Sequence, residues 1–213
     1  MYKELGKYLN EQNVTLVAVS KTRLDEQVMT LYDQGQRILG ENRVNELERK
    51  SEYFPKDVEW HMIGHLQSKK VKNVLPIVSM IQSVDSKKIY DKIVNEAAKI
   101  NKKISVLLQY KIGQEEAKYG LTKETLETII HKNQSEETNI KIKGLMGMAS
   151  FVDDQDQVRA EFAELKSIYD YCKSTYFTTD DNFCELSMGM SGDYIIAIEE
   201  GATMVRIGSL LFK

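Results

Sequence analysis

Residues 14–23 read VTLVAVSKTR, an apolar and largely β-branched run that stops at Ser20 and hands over to polar residues at Lys21. Its apolar positions are consecutive rather than alternate, as in a strand covered on both faces. Further short β-rich runs occur at 37–40 (RILG), 58–64 (VEWHMIG), 78–84 (VSMIQSV), 103–109 (KISVLLQ), 140–146 (IKIKGLM), 183–188 (FCELSM) and 203–207 (TMVRI), several of them apolar on both faces. Between these runs lie stretches of helical period, such as 86–100 and 154–171, where Val158, Phe162, Leu165, Ile168 and Tyr169 recur at intervals of three and four. Strand and helix therefore alternate along the chain. About eight such units in 213 residues predict an α/β fold, a single-domain TIM-type (β/α)8 barrel over residues 1–213. An open doubly wound sheet is the competing arrangement, and it usually has fewer strands.

Composition agrees with one core. The chain is 42% hydrophobic and 29% charged, with two prolines and no Ser- or Gly-rich linker. A net charge of −3, with basic residues spread along the chain, argues against nucleic acid as a partner. The opening MYKELGKYLNEQN sets Leu5, Tyr8 and Leu9 at helical spacing and lacks the apolar run of a signal peptide. With no stretch approaching about 18 apolar residues, a membrane span is not expected and the chain reads as cytoplasmic. Cys172 and Cys184 fit neither a metal pair nor a disulfide framework and read as reduced thiols.

In a barrel of this kind reactive groups gather at the carboxyl ends of the strands. Lys21 emerges there, after the first strand. Desolvation and nearby positive charge leave such an amine partly neutral and able to condense with an aldehyde, although an ordinary solvated loop lysine reads the same way. The loops after strands seven and eight often hold a phosphate in barrel enzymes. Here they carry SMGMSGDY and RIGSLL, in which Gly208 and Ser209 suit close approach to an anion and Ser187 adds a hydroxyl. Ser191 reads either as a phosphate contact or as the N-cap of a helix with Asp193 in its first turn. Arg206 interrupts an apolar strand, so inside a barrel it needs hydrogen-bond partners or an inward carboxylate.

The segments VAVSKTR, GENRVNEL, WHMIGHLQSKKVK, IQSVDS, GLMGMAS and LSMGMSGDYIIAIEEGATMVRIGSLLF closely resemble, in order, the motifs of the pyridoxal phosphate homeostasis protein family. That family is similar to the N-terminal barrel of alanine racemase. The resemblance implies pyridoxal 5′-phosphate as cofactor, held as a Schiff base on Lys21, with Arg206 facing the pyridine nitrogen and Ser187, Gly208 and Ser209 holding the phosphate. It also brings Asn42 and Met146 to the cofactor, with an N-cap as the plainer role of Asn42 and core filling as that of Met148. An arginine at the pyridine nitrogen keeps it unprotonated and weakens the ring as an electron sink. A length of 213 residues leaves no room for a second racemase domain with its catalytic tyrosine. The implied function is thus storage, buffering or delivery of the cofactor, possible acceptors being pyridoxal-phosphate-requiring apoenzymes, without clear catalysis. A pyridoxal-phosphate-dependent amino-acid racemase, or another pyridoxal-phosphate enzyme of low activity, is the alternative, and a monomer or weak homodimer is the expected assembly.

His61 and His65 are four apart, but Gly64 and the strand pattern argue against a helical metal pair, so no metal is expected. His65, at the strand's carboxyl end, is placed near the cofactor, His61 packed with Trp60, and His131 in solvent. Lys69, Lys111 and Gly147 depart from the family pattern, whereas Lys118 and Gly120 keep its loop after strand five, a secondary contact for cofactor or partner.

Overall fold

The sheet closes where Thr15–Val19 (β1) pairs with Met204–Ile207 (β8), in parallel register from Thr15↔Met204 to Ala18↔Ile207. That closure decides for the barrel over the open sheet. The structure is a computed structural model and describes residues 2–113 and 119–212. Between the closing strands run Ile38–Glu41 (β2), Glu59–Met62 (β3), Met80–Val84 (β4), Ile104–Gln109 (β5), Ile140–Met146 (β6) and Glu185–Ser187 (β7), each pairing with its neighbours in chain order.

Helix Tyr2–Glu11 (α1) precedes β1, and Asp25–Asp33 (α2), Val44–Tyr53 (α3), Val71–Val74 (α4), Lys87–Lys99 (α5), Lys123–Ser135 (α6), Gln155–Tyr176 (α7) and Tyr194–Glu199 (α8) follow the successive strands. Where the sequence carries Ser, Thr or Asp before the longer helices, the side chain caps. Ser86 accepts from the Ile89 amide, Thr122 from Thr125, and Asp154 from Asp156 and Gln157. The periodic face of α7 is buried at Val158, Phe162 and Leu165.

Two layers of apolar side chains result. The large one lies between strands and helices and includes Leu39, Trp60, Ile81, Val106 and Leu145. The small one fills the barrel interior with Val17, Met80, Leu107, Met146 and Met204. In β6 the two faces are reset by a bulge, because the register against β5 passes from Val106↔Ile142 to Leu107↔Gly144. Gly144 has φ +151 and a Cβ there would lie 1.7 Å from the Glu185 carbonyl oxygen, so only glycine fits. Cys172 is buried and Cys184 exposed, and both are free thiols. Burial pushes the Cys172 thiol up to about 12. No helix among the described residues is long and apolar enough to cross a membrane.

Candidate functional site

A cavity of about 640 Å³ opens at the carboxyl ends of the strands. Lys21, Asn42, Arg206, Gly208 and Ser209 all line it, so five of the residues singled out in the sequence meet there. Lys21 lies two residues past the end of β1 and its side chain is exposed. Its backbone is held on both sides. The Ser20 amide donates to the Gly40 carbonyl (3.0 Å). The Thr22 hydroxyl donates to the Lys21 carbonyl (2.6 Å), and Thr22 adopts φ +60.

Arg206 is 4% exposed and makes no ion pair among the described residues. Its Nη1 donates to Ser187 Oγ (2.7 Å) and its Nη2 to the Gly147 carbonyl (2.9 Å). Burial lowers its pKa to about 10, with the Asp193 carboxylate acting in the opposite direction, so the guanidinium stays charged at neutral pH. Ser187 passes the polarity on, since its hydroxyl donates to Gln82 Oε1 (2.7 Å), and Gln82 Nε2 lies 2.9 Å from His61 Nδ1. The chain runs in one direction from Arg206 to His61 inside the barrel. It needs His61 neutral, with Nδ1 accepting, and burial lowers the His61 pKa to about 4.

Two turns form part of the cavity wall. The amides of Ser191, Gly192, Ser209 and Leu210 donate to no described residue, and all four residues line the cavity. The Gly208 amide donates to Ser191 Oγ (3.3 Å), tying the loop after β7 to the loop after β8. Four N–H groups without a described partner, on two linked turns that line the cavity, suit an anion. A Cβ on Gly208 would stand 3.2 Å from the Val19 carbonyl, against the strand that leads to Lys21.

Several expectations change. The helix after β7 starts at Tyr194, not near Ser191, because Asp193 turns its carboxylate back onto the Met190 amide (2.5 Å); Ser191 is therefore no N-cap and faces the cavity. Burial raises the Asp193 carboxyl against the pull of the Met190 amide and Arg206. Asn42 is not an N-cap either, that position falling to Arg43 without a side-chain bond. Ser187 and Met146 are fully buried and lie outside the cavity wall. Both sit one step below it, level with Met204 in the sheet register, whereas Met148, read as core, is half-buried and lines the cavity. His61 does not pack with Trp60. Neighbouring strand residues point to opposite faces, so Trp60 meets Phe54 (5.8 Å) on the helix side and His61 turns inward.

His65 is exposed, pairs with Asp85 (2.6 Å) and stacks on Tyr119 (4.1 Å). It lines an adjoining groove that shares Asn42 with the cavity. His131 meets the edge of the Tyr176 ring. Lys69 is exposed, the Lys111 amide donates to the Leu121 carbonyl (3.1 Å), and Gly120 lies against the Lys111 backbone, where a Cβ would come within 2.8 Å. A Cβ on Gly147 would meet Leu165 at 2.6 Å; this position contributes its carbonyl to Arg206. Lys118 lies outside the described residues. The described residues hold no group of three or more His, Cys, Asp or Glu able to take a metal ion. Sequence reasoning missed Gln82 and the buried pair of Lys50 with Glu41. The only signal available was a polar residue inside each of two apolar strand runs, IQSV and ILGE.

A family model described as the alanine racemase N-terminal domain matches residues 2–213. The chain is 39% identical over 203 residues to the pyridoxal phosphate homeostasis protein of Aquifex aeolicus, covering 95% of this chain and 87% of that one. It is 38% identical over 210 residues to the human protein of the same name, covering 92% and 75%. Among solved structures, PipY of Synechococcus elongatus with pyridoxal phosphate bound superposes with a TM-score of 0.84 at 30% identity, over 94% of this chain and 93% of that one. Alanine racemase from Bartonella henselae superposes with a TM-score of 0.70 at 17% identity, over 96% of this chain and 56% of that one, a likeness of fold alone.

Proposed function

The chain belongs to the pyridoxal phosphate homeostasis protein family, built on the alanine racemase N-terminal domain, and from that premise we propose that it is a cytoplasmic carrier holding pyridoxal 5′-phosphate as a Schiff base on Lys21. On this reading residues 1–213 act as one barrel domain that stores the cofactor, buffers it and delivers it to apoenzymes. The observation that carries the reading is one cavity lined by Lys21, by the buried Arg206 guanidinium and by four residues whose amides have no partner among the described residues. A phosphorylated aromatic aldehyde needs those three partners: a nucleophile, a donor for its ring nitrogen and an anion cradle.

When bound, the group supplies an imine conjugated to an electron-withdrawing ring. The residues of the chain do the rest. Ser191, Gly192, Ser209 and Leu210 offer backbone donors to the phosphate, and Gly208 allows it close to β1. Arg206 donates to the ring nitrogen and, as a permanent cation, keeps a proton off it. Ser187 takes a role in positioning, because its hydroxyl is committed to Gln82 and Arg206 rather than open to the phosphate. Asn42 and Met148 border the ring. This arrangement binds and orients without building up the electron sink that α-proton chemistry needs, which favours carriage over racemisation.

The deciding experiment is a titration of the purified protein with pyridoxal phosphate, followed by its visible absorbance, alongside Lys21→Ala. Wild type should turn yellow, and borohydride should fix the cofactor on the peptide carrying Lys21. The variant should do neither. A borohydride-stable adduct at another lysine overturns the Schiff-base assignment, and sustained racemisation of alanine or serine by the wild type replaces the carrier with an enzyme.

A further inference from the structure

Lys50 and Glu41 are both fully buried, and no part of the proposed site uses them. Lys50 extends from α3 into the wall between β1 and β2. Its Nζ donates to Glu41 Oε1 (2.5 Å) and to the Ser20 carbonyl (2.6 Å). The Ser20 hydroxyl donates to the same Glu41 oxygen (2.6 Å). The second Glu41 oxygen is buried and accepts no hydrogen bond among the described residues. A buried ion pair with an incompletely satisfied carboxylate is a poor source of stability, since apolar side chains of similar volume commonly do as well or better. Its value must lie in geometry.

The place it holds is the root of Lys21. The Ser20 carbonyl belongs to the peptide unit that carries the Lys21 amide; β1 ends at Val19, and beyond the ladder this carbonyl is held by the Arg23 amide (3.2 Å) and, at shorter range, by Lys50 Nζ. Beyond it the chain turns through Thr22, whose φ of +60 is rare for a β-branched residue. We infer that Lys50, held by Glu41, is a positioning residue for Lys21: it locks the Ser20–Lys21 peptide so that the ε-amine enters the cavity in line with the aldehyde. This rests on the proposed Schiff base. There the neutral Lys21 amine attacks the aldehyde carbon, a C=N bond forms, and the carbonyl oxygen leaves as water with the two amine protons. Lys50 takes no part in that exchange. It sets the angle of approach, and small displacements in such a step are costly in rate.

The test is Glu41→Leu/Lys50→Met, which removes both charges together so that neither is left alone in the core. In the wild type, pyridoxal phosphate must give the Lys21 adduct; failure there sinks the function proposed above and not this inference. If it does, the double variant should melt without cofactor no lower than wild type yet form the visible adduct about ten- to a hundredfold more slowly. Ser20→Ala keeps the ammonium on the carbonyl and should react at close to the wild-type rate. Should the apolar pair not fold, Glu41→Gln/Lys50→Gln, neutral and one bond too short to bridge to Ser20, should show the same slowing. Adduct formation at the wild-type rate in whichever double variant folds overturns the inference. So does a slowing in Ser20→Ala as large as in the double variant.

Discussion

His61 shows how a single buried group can report on the whole interior. Gln82 has its amide oxygen committed to Ser187, so only its Nε2 is left for His61, and the imidazole must accept. Burial also holds His61 neutral in the folded protein, with a pKa of about 4 against an ordinary 6.5. Between those two values the unfolded chain binds a proton that the folded chain refuses, so stability rises with pH. The contribution is full above pH 6.5 and is lost as pH falls through 4. Its size is about 3 kcal/mol. Denaturant unfolding at the two ends of that window should show wild type losing about that much more than His61→Gln, the acidic side chains being common to both. Equal losses would mean that burial does not hold the imidazole neutral. Arg206 sits at the other end of the same hydrogen-bond chain, which makes Ser187 a strut between two buried groups and not a free donor.

Strand β6 accounts for most of what the sequence could and could not disclose about the site. Its run at 140–146 announces a strand, and its place as sixth of eight follows from counting. The alternation of Ile140 and Ile142 with Lys141 and Lys143 sets a parity that stops at Gly144, and the apolar Leu145 and Met146 beyond it carry none, so neither the bulge nor the depth of each methionine can be read from residue types. Ile140, Ile142 and Leu145 face the helices while Met146 faces the interior, a sequence of faces that simple alternation forbids and the bulge supplies. Met146 then ends level with Ser187, and Met148 is carried up to the cavity. Gly144→Ala should break this arrangement. Its Cβ would collide with backbone, not with a side chain able to move aside, and its φ of +151 adds strain. We expect a loss of at least about 3 kcal/mol, seen as a lowered denaturant midpoint with an unchanged slope. A loss below about 1 kcal/mol would show that β6 can re-register without the bulge.

At the scale of the molecule, the order of strands and the meeting of Lys21 with Arg206, Gly208 and Ser209 were legible because a closed barrel puts every strand end on one rim. What stayed hidden were side-chain contacts between elements, such as Gln82 with Ser187 across the interior and Lys50 with Ser20 in the wall between β1 and β2, whose partners residue types alone do not pair. Closure also makes the seams unequal. β5 and β6 pair along the whole of Ile104–Gln109, whereas β7, Glu185–Ser187, is three residues long and meets β8 around Ser187↔Met204, where the Thr203 amide donates to the Leu186 carbonyl and the Met188 amide to the Met204 carbonyl. Short pairing marks the place where local opening needs least free energy. The proposed cofactor would bridge that place, held by Lys21 after β1, by Ser191 and Gly192 after β7 and by Ser209 and Leu210 after β8. At a hundredfold excess over its Kd the ligand should add about 2.7 kcal/mol to global stability. Hydrogen exchange should place the local gain in 185–210 and in 20–23, with 104–109 unchanged. Protection that spreads evenly around the barrel, or that concentrates on β4 to β6, would mean that the ligand is held elsewhere on the rim and that the amides of the last two loops are not its cradle.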